Sequence, residues 1–219
     1  MKADLHIHTR YSRDAISSPE AILRTAGRKG IDALAITDHD TTAGWGEMME
    51  AAKGTGIEVI LGEERTVYRN GRVTGELTCL FLSSPLISRE FYGILREVRD
   101  QGGILCAAHP FDRRRLPFGE IEFLMEDGSV AVEVFNSRTY DHRGNRRAQE
   151  FAAENDSMIA AGSDAHTPLE VGNAYVEADA RTLDELKGAL IRREVSVVGR
   201  RSNPLLSFYS AIGRWGYVR

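Results

Sequence analysis

Short apolar runs alternate with amphipathic stretches along most of this 219-residue chain, and that alternation restricts the fold more than any other feature. Strand–helix–strand units in series predict parallel strands joined by right-handed crossovers. The first strand lies within residues 1–10. Ser17-Ser18-Pro19-Glu20 then starts a helix, with a serine cap, proline in the first turn and an acid near the positive end of the dipole. That helix carries Ile22, Leu23 and Ala26 on one face and stops near Gly30. Residues 31–37 read as a strand buried on both faces. A second helix is expected over 43–53 and a third strand over 58–61. The pattern breaks once, where 66–68 and 73–82 flank Asn70-Gly71, a two-residue hairpin signal. Beyond it come a helix over 88–101 ending at Gly102-Gly103, a strand over 104–108 and a short helix over 121–125. A strand over 130–135, a helix over 144–155 and a strand over 158–161 follow. Thr182-Leu183-Asp184-Glu185 is a capping box opening a helix to about Arg193. Residues 195–198 give a last strand, and the tail from Asn203 is expected to be helical, with Leu206, Tyr209 and Ile212 on one side. No repeat, low-complexity tract or linker interrupts the chain. One α/β domain over 1–219 is expected, and α/β barrels often run to about 200–250 residues.

Composition narrows the setting. The chain is 42% hydrophobic and 27% charged, ordinary for a globular protein. No apolar run approaches the roughly 20 residues that span a bilayer. Met1-Lys2-Ala3 leads straight into the first strand, so no signal peptide and a cytoplasmic location are expected. Cys79 and Cys106 lie in strand-like runs without a Cys-x-x-Cys spacing, which suits buried reduced thiols. The formal net charge is −4, against a general affinity for nucleic acid. Residues 192–219 depart from that average, with Arg192, Arg193, Arg200, Arg201, Arg214 and Arg219 against Glu194 alone, read here as a solvated surface.

What sits just beyond the strands carries the chemistry. On the first strand, alternation puts His6 and His8 on one face, with Leu5 and Ile7 on the other. Alone, such a pair would also suit hydrogen-bonded histidines without a ligand. The same kind of residue then recurs at Asp38 and His39, Glu63 and Glu64, His109, and Asp164 and His166. Five of the six histidines fall at such places; His142, in an expected loop, is the exception. In barrels and open α/β sheets, sites are built at the strand C-termini. Imidazoles and carboxylates without thiolates suit zinc, manganese or iron, and there are too many for one ion. Two or three divalent cations are expected. A close metal pair polarises a phosphoryl oxygen and lowers the pKa of bound water towards ~7, giving a metal-bound hydroxide nucleophile. No nucleophile elbow, phosphate loop or dinucleotide fingerprint competes.

Five separated segments resemble the polymerase and histidinol phosphatase (PHP) family. They are Asp4-Leu5-His6-Ile7-His8-Thr9, Ile36-Thr37-Asp38-His39-Asp40, Gly62-Glu63-Glu64, His109-Pro110 and Gly162-Ser163-Asp164-Ala165-His166. Val132-Glu133-Val134-Phe135-Asn136 is similar to the family's sixth strand. The resemblance implies a distorted (β/α)7 TIM-like barrel with a trinuclear site and metal-dependent phosphoesterase chemistry. It implies that His6 and His8 hold one metal with Asp164. His39 would join the metal that Asp14 serves, His166 one of the pair, and His109 a third ion. Glu64 matches the bridging glutamate better than Glu63. Glu76 stands where several members have a histidine, which bears on the third ion. Asp38, His39 and Arg138 are the catalytic candidates, Asp38 either as a ligand or as the partner that orients a histidine. Asp4 and Asp40 are expected to be hydrogen bonders. Of Arg113, Arg114 and Arg115, which cannot all face inward, Arg113 is assigned to the substrate phosphate with Arg138 and His142.

The leading expectation is hydrolysis of a small phosphate ester, a nucleotide or related phosphomonoester. The alternatives are a 3'-5' exonuclease on single-stranded nucleic acid, using the arginine-rich tail, and a metal-binding regulatory module without turnover. A carbon–nitrogen hydrolase of the amidohydrolase type also begins with His-x-His. Its bridging lysine has no counterpart at a middle strand end here.

Overall fold

The computed structural model describes residues 1–115, 121 and 128–206. One nine-stranded sheet forms the scaffold: β1 (Lys2–Ile7), β2 (Ala33–Ile36), β3 (Glu58–Arg69), β4 (Arg72–Leu80), β5 (Ile104–Ala107), β6 (Val130–Asn136), β7 (Ile159–Gly162), β8 (Ala174–Glu177) and β9 (Ser196–Gly199). The helices are α1 (Pro19–Lys29), α2 (Trp45–Ala52), α3 (Phe91–Asp100), α4 (His142–Glu154) and α5 (Leu183–Arg192). Strand order is β7-β6-β5-β4-β3-β2-β1-β8-β9. β1 to β3 run parallel, as do β5 to β7, while β4 is antiparallel to both neighbours.

Local chemistry accounts for the expected elements. The Ser18 side chain accepts from Ala21 N to cap α1, and Gly30 ends it at φ 65°. Asn70 and Gly71 both have positive φ, 53° and 73°, as a hairpin turn matching strand twist requires. Thr182 accepts from Glu185 N at 3.2 Å to open α5. Cys79 and Cys106 are buried free thiols.

The sheet curls until its two parallel blocks meet. His8 N donates to Ala165 O at 3.0 Å and Asp164 N donates to His6 O at 2.7 Å, so the segment after β7 pairs with the end of β1. The result is a nearly closed barrel. Asp4 reinforces the seam: its carboxylate accepts from Ser163 N and Gly172 N, both at 2.8 Å. Gly162 is required there by space, because a Cβ would lie 2.2 Å from the His6 Cβ. Inside the curve, Ala3, Leu5, Ala35, Ile60, Cys106 and Ala161 belong to one cluster, closed by Leu186, Ala189 and Leu190 of α5. Outside, Ile7, Leu34 and Ile36 pack under Ile22, Leu23 and Ala26 of α1.

Several expectations change. Leu5 and Ile7 do not share a face, because the β1–β2 register shifts between Asp4 and Ile7. That irregularity leaves Leu5 inside and Ile7 outside. The third strand does not stop at 61: it continues to Arg69 as one arm of the hairpin, so Glu63 and Glu64 lie within it. β8 was not expected; its short Ala-Tyr-Val-Glu alternation is ordered by antiparallel pairing with β1 and β9. The helix expected from 88 begins at Phe91, because Glu97 takes the Ile87 and Ser88 amides and Glu90 bridges to Tyr68. His142 opens α4, capped by Asp141, rather than lying in a loop. The expected 121–125 helix, apart from Ile121 in a turn, and the tail beyond 206 with Tyr209, Ile212, Arg214 and Arg219 lie outside the described residues.

Candidate metal centre

The strand ends deliver one continuous cluster of imidazoles and carboxylates. His6 Nε2 and His8 Nε2 face each other at 3.1 Å. Glu64 Oε2 lies 3.4 Å from each of these nitrogens, and Asp164 Oδ1 lies 3.3 Å from His8 Nε2. His39 Nδ1 approaches Glu64 Oε2 at 2.9 Å, and its Nε2 is 3.6 Å from Asp14 Oδ1. His166 Nε2 meets Asp14 Oδ2 at 3.2 Å. His109 Nε2 stands 3.1 Å from Glu64 Oε1 and 3.5 Å from Glu76 Oε2. Three overlapping groups have ligand atoms close enough for a shared ion: His8, His39 and His166; His6, His8 and Asp164; His39, Glu64 and Glu76.

The hydrogen-bond partners of the rings decide where the lone pairs of their neutral forms lie. Ser12 Oγ donates to Asp38 Oδ1 at 2.8 Å and accepts from His39 N at 3.0 Å. A hydroxyl has one proton and two lone pairs, so its remaining 3.0 Å contact must be donation from His8 Nδ1. The Nε2 of neutral His8 is therefore a lone pair. His6 Nδ1 donates to Glu133 Oε1 at 2.9 Å, so in the neutral ring its Nε2 is a lone pair too. His166 Nδ1 donates to Asp164 O at 2.9 Å, with the same consequence. In their neutral forms the three rings thus turn Nε2 lone pairs towards carboxylate oxygens. Asp14 Oδ1 and Asp164 Oδ1 are buried without a hydrogen-bond partner among the described residues. Unanswered buried acceptors are costly, and a divalent cation answers them all.

The field of the cluster favours positive charge. Burial opposes a charge on His6, but Glu133, Glu64 and Asp164 outweigh it and raise its pKa well above the ordinary histidine value. His8 moves down, through burial and the neighbouring His166 and His39. Burial acts to raise Glu64 and Asp164, yet both are held well below the carboxylate range. His6 and His39 hold down the first, Arg115 and His6 the second. Glu76 is raised by burial and by Glu64. His109 and Asp164 also have positive φ, 30° and 52°, strain of the kind that gathers at functional sites.

A cavity of about 450 Å³ opens onto the cluster. Its lining combines Asp14, His39, Glu76, Asp112 and His166 with Arg114, Arg115, Arg138 and Tyr140. Arg138 is thus at the cavity, with its Nε 3.6 Å from Glu170 Oε1. Arg113 lines a separate cavity. A turn at Asp112 sends Arg115 inward, where it pairs with Asp164, and leaves Arg113 on a separate cavity. Asp38 belongs to no candidate ligand group. It accepts from Thr9 N at 2.7 Å, Thr9 Oγ1 at 2.6 Å and Ser12, and so orients His8 from behind. Glu63 turns away from the cluster to Arg65 Nη1 at 2.8 Å, while Asp40 accepts from Thr66. The His142 side chain lies outside the described part. Of the tail arginines, Arg192 and Arg193 pair with Glu194 and Asp156 on the surface.

Sequence reasoning gave no role to Ser12, quoted Glu133 and Asn136 only as part of a strand, and named Arg115 without choosing it over Arg113. Besides His6, Glu133 accepts from His109 N at 2.7 Å and from Asn136 Nδ2 at 3.0 Å. Asn136 also donates to Asp164 Oδ2 at 3.0 Å. The available signal was a lone acid inside the apolar run of β6.

Fold and site together define a nearly closed α/β barrel with a multi-ligand cluster at one mouth. The chain belongs to the PHP domain family, whose model matches residues 4–159; a PHP-associated model matches 142–195. An uncharacterized protein of Methanocaldococcus jannaschii is 36% identical over 151 residues, 63% of this chain and 82% of that one. A 5'-3' exoribonuclease of Haemophilus influenzae is 44% identical over 71 residues, 32% of this chain and 26% of that protein. Among solved structures, a two-domain protein of Bacteroides vulgatus, described as containing a predicted PHP-like metal-dependent phosphoesterase, aligns with TM-score 0.77. The alignment covers 96% of this chain and 69% of that one at 23% identity, a likeness of fold. None of the helices in the described residues is long and apolar enough to cross a membrane.

Proposed function

We propose that this chain is a metal-dependent phosphoesterase acting on a small phosphate ester. The observation that carries the reading is a cavity lined both by candidate ligands, Asp14 with an unpartnered buried oxygen among them, and by arginines. His6, His8, Asp14, His39, Glu64, Glu76, His109, Asp164 and His166 would hold two or three divalent ions such as zinc, manganese or iron. Bound there, the ions would supply Lewis-acid polarisation of a phosphoryl oxygen and a low-pKa water. The rest falls to the chain. Arg138 and Arg115 present guanidinium forks to the remaining phosphate oxygens, geometry that suits a bidentate contact. Asp38 through Ser12, and Glu133 directly, keep the His8 and His6 lone pairs aimed at the cluster. A cavity of about 450 Å³ suits a nucleotide-sized molecule.

A nuclease reading has the Haemophilus relative in its favour over 32% of this chain, but that protein is a 5'-3' exoribonuclease, opposite in direction to the expected 3'-5' exonuclease. The net charge of −4 works against a long polyanion. Protein loaded with zinc, manganese or iron(II) should release phosphate from p-nitrophenyl phosphate, nucleotides or sugar phosphates, and lose that activity to a chelator. Cleavage of labelled single-stranded RNA or DNA alone would favour the nuclease. No hydrolysis of either kind by metal-loaded protein would retire the enzymatic reading.

A further inference from the structure

The loop after β7 folds back onto its own candidate ligand. Glu170 is fully buried, and its Oε2 accepts from His166 N at 3.1 Å, Thr167 N at 3.0 Å and Thr167 Oγ1 at 3.1 Å. That oxygen alone closes the turn, a task an amide oxygen could also perform. The turn does not explain the other oxygen. Oε1 is buried without a hydrogen-bond partner among the described residues, and it faces Arg138 Nε at 3.6 Å. Arg138 lines the cavity with His166 and Asp14, whereas Glu170 does not. The Arg138 backbone is fixed from the same quarter. Its N donates to Asn136 Oδ1 at 2.9 Å, and Asn136 Nδ2 donates to Asp164 Oδ2 at 3.0 Å. Backbone and side chain of Arg138 are thus both tied to residues 164–170, the segment that supplies the candidate ligands Asp164 and His166.

We infer that Glu170 is a positioning residue that aims Arg138 at the reacting phosphate, so that the loop carrying Asp164 and His166 also sets the phosphate-binding geometry. This rests on the phosphoesterase reading and deepens it. A guanidinium paired at Nε can hold its two Nη groups, the edge that matches two phosphate oxygens, on the side away from its anchor. Arginine carries large rotamer entropy, and an anion that orders it in advance removes that cost from substrate binding. The dependence is mutual, because a buried carboxylate stripped of its cation is strongly destabilising.

The two oxygens of Glu170 can be tested apart. Glu170→Gln keeps an acceptor for the His166 and Thr167 amides but sets an NH2 donor against the Arg138 Nε–H. In zinc- or manganese-loaded protein this variant should bind inorganic phosphate about tenfold more weakly by calorimetry, the scale of one charge-assisted contact. Metal content and the unfolding midpoint should stay as in wild type, and kcat/KM for p-nitrophenyl phosphate should fall by a similar factor. In an Arg138→Ala background, Glu170→Gln should change phosphate affinity by less than about twofold. An equal loss with and without Arg138 overturns the inference and leaves Glu170 as a support of the His166 turn alone. Unchanged phosphate affinity in Glu170→Gln, or no phosphate binding by loaded wild type, also overturns it. If Glu170→Gln does not fold, Arg138→Lys decides, since it keeps the charge without an Nε–H. It should show the same loss, and wild-type affinity there sinks the inference. Should phosphate bind without turnover of any ester, the phosphoesterase reading fails separately, and the binding measurements still decide the role of Glu170.

Discussion

His6 Nδ1 donates to Glu133 Oε1 across 2.9 Å, joining residues 127 positions apart in the chain. Both lie where their strands depart from regular pairing: the register shifts between Asp4 and Ile7 on β1 and between Glu133 and Phe135 on β6. Such irregularities re-aim side chains next to functional sites. Glu133 also holds the His109 amide and Asn136, so one carboxylate braces groups from β1, the end of β5 and β6.

That arrangement makes Glu133 a positioning residue for the cluster. Glu133→Ala should weaken zinc or manganese binding by about 10–100-fold, the usual effect of removing a partner behind a ligating histidine. Glu133→Gln should recover part of it, since the amide oxygen can still accept from Nδ1. Titration calorimetry on metal-free protein reads this directly, and unchanged affinity in the alanine variant would refute the role.

His8 sits at the crossing of two candidate ion groups. His8→Ala should bind at least one metal equivalent fewer and lose turnover, with the far-UV circular dichroism retained. Elemental analysis and a phosphate-release assay check it. Wild-type turnover in this variant would put the chemistry elsewhere.

Closure of the barrel depends on the absence of a side chain at one position. Gly162→Ala would place a Cβ 2.2 Å from the His6 Cβ and 2.7 Å from its backbone N. Backbone cannot move aside as a flexible side chain would. The expected loss is about 3 kcal/mol or more, read from denaturant unfolding of metal-free protein, with the His6 group displaced as well. A variant as stable as the parent would show that the seam is looser than its hydrogen bonds indicate.

Asp4 gives a pH dependence whose sign is determined. Burial raises its pKa from 3.8 to about 6 in the folded state, despite hydrogen bonds from Ser163, Gly172 and His6 that act the other way. The folded state therefore binds more protons than the unfolded one between these values, and stability falls as pH rises through that window. The displacement corresponds to roughly 3 kcal/mol. In metal-free protein, the stability of wild type minus that of Asp4→Asn should decrease by about this amount between pH 3.5 and 7. Above the window it should be flat. A difference that rises with pH would reverse the assignment.

Much was legible locally. Caps at Ser18 and Thr182, the Asn70-Gly71 turn and the histidines beyond apolar runs are short-range signals, because helix ends, tight turns and strand termini are specified by a few adjacent residues. What periodicity could not reveal were the partners that arrive from far along the chain. Strict alternation assigned Leu5 and Ile7 to one face, whereas pairing with β2 separates them. A run of arginines does not disclose which one turns inward, and the bend at Asp112 chose Arg115 over Arg113.

The amino-acid sequence by itself determined the strand–helix alternation and the stock of imidazoles and acids placed at strand ends, since both depend on residue type and spacing alone. The tertiary structure decided which lone pairs meet, which carboxylate stands behind each histidine and which arginines share a cavity with the ligands. Those outcomes depend on closing the barrel between β1 and the segment after β7. That contact between residues some 157 positions apart is set by the packing of the whole sheet.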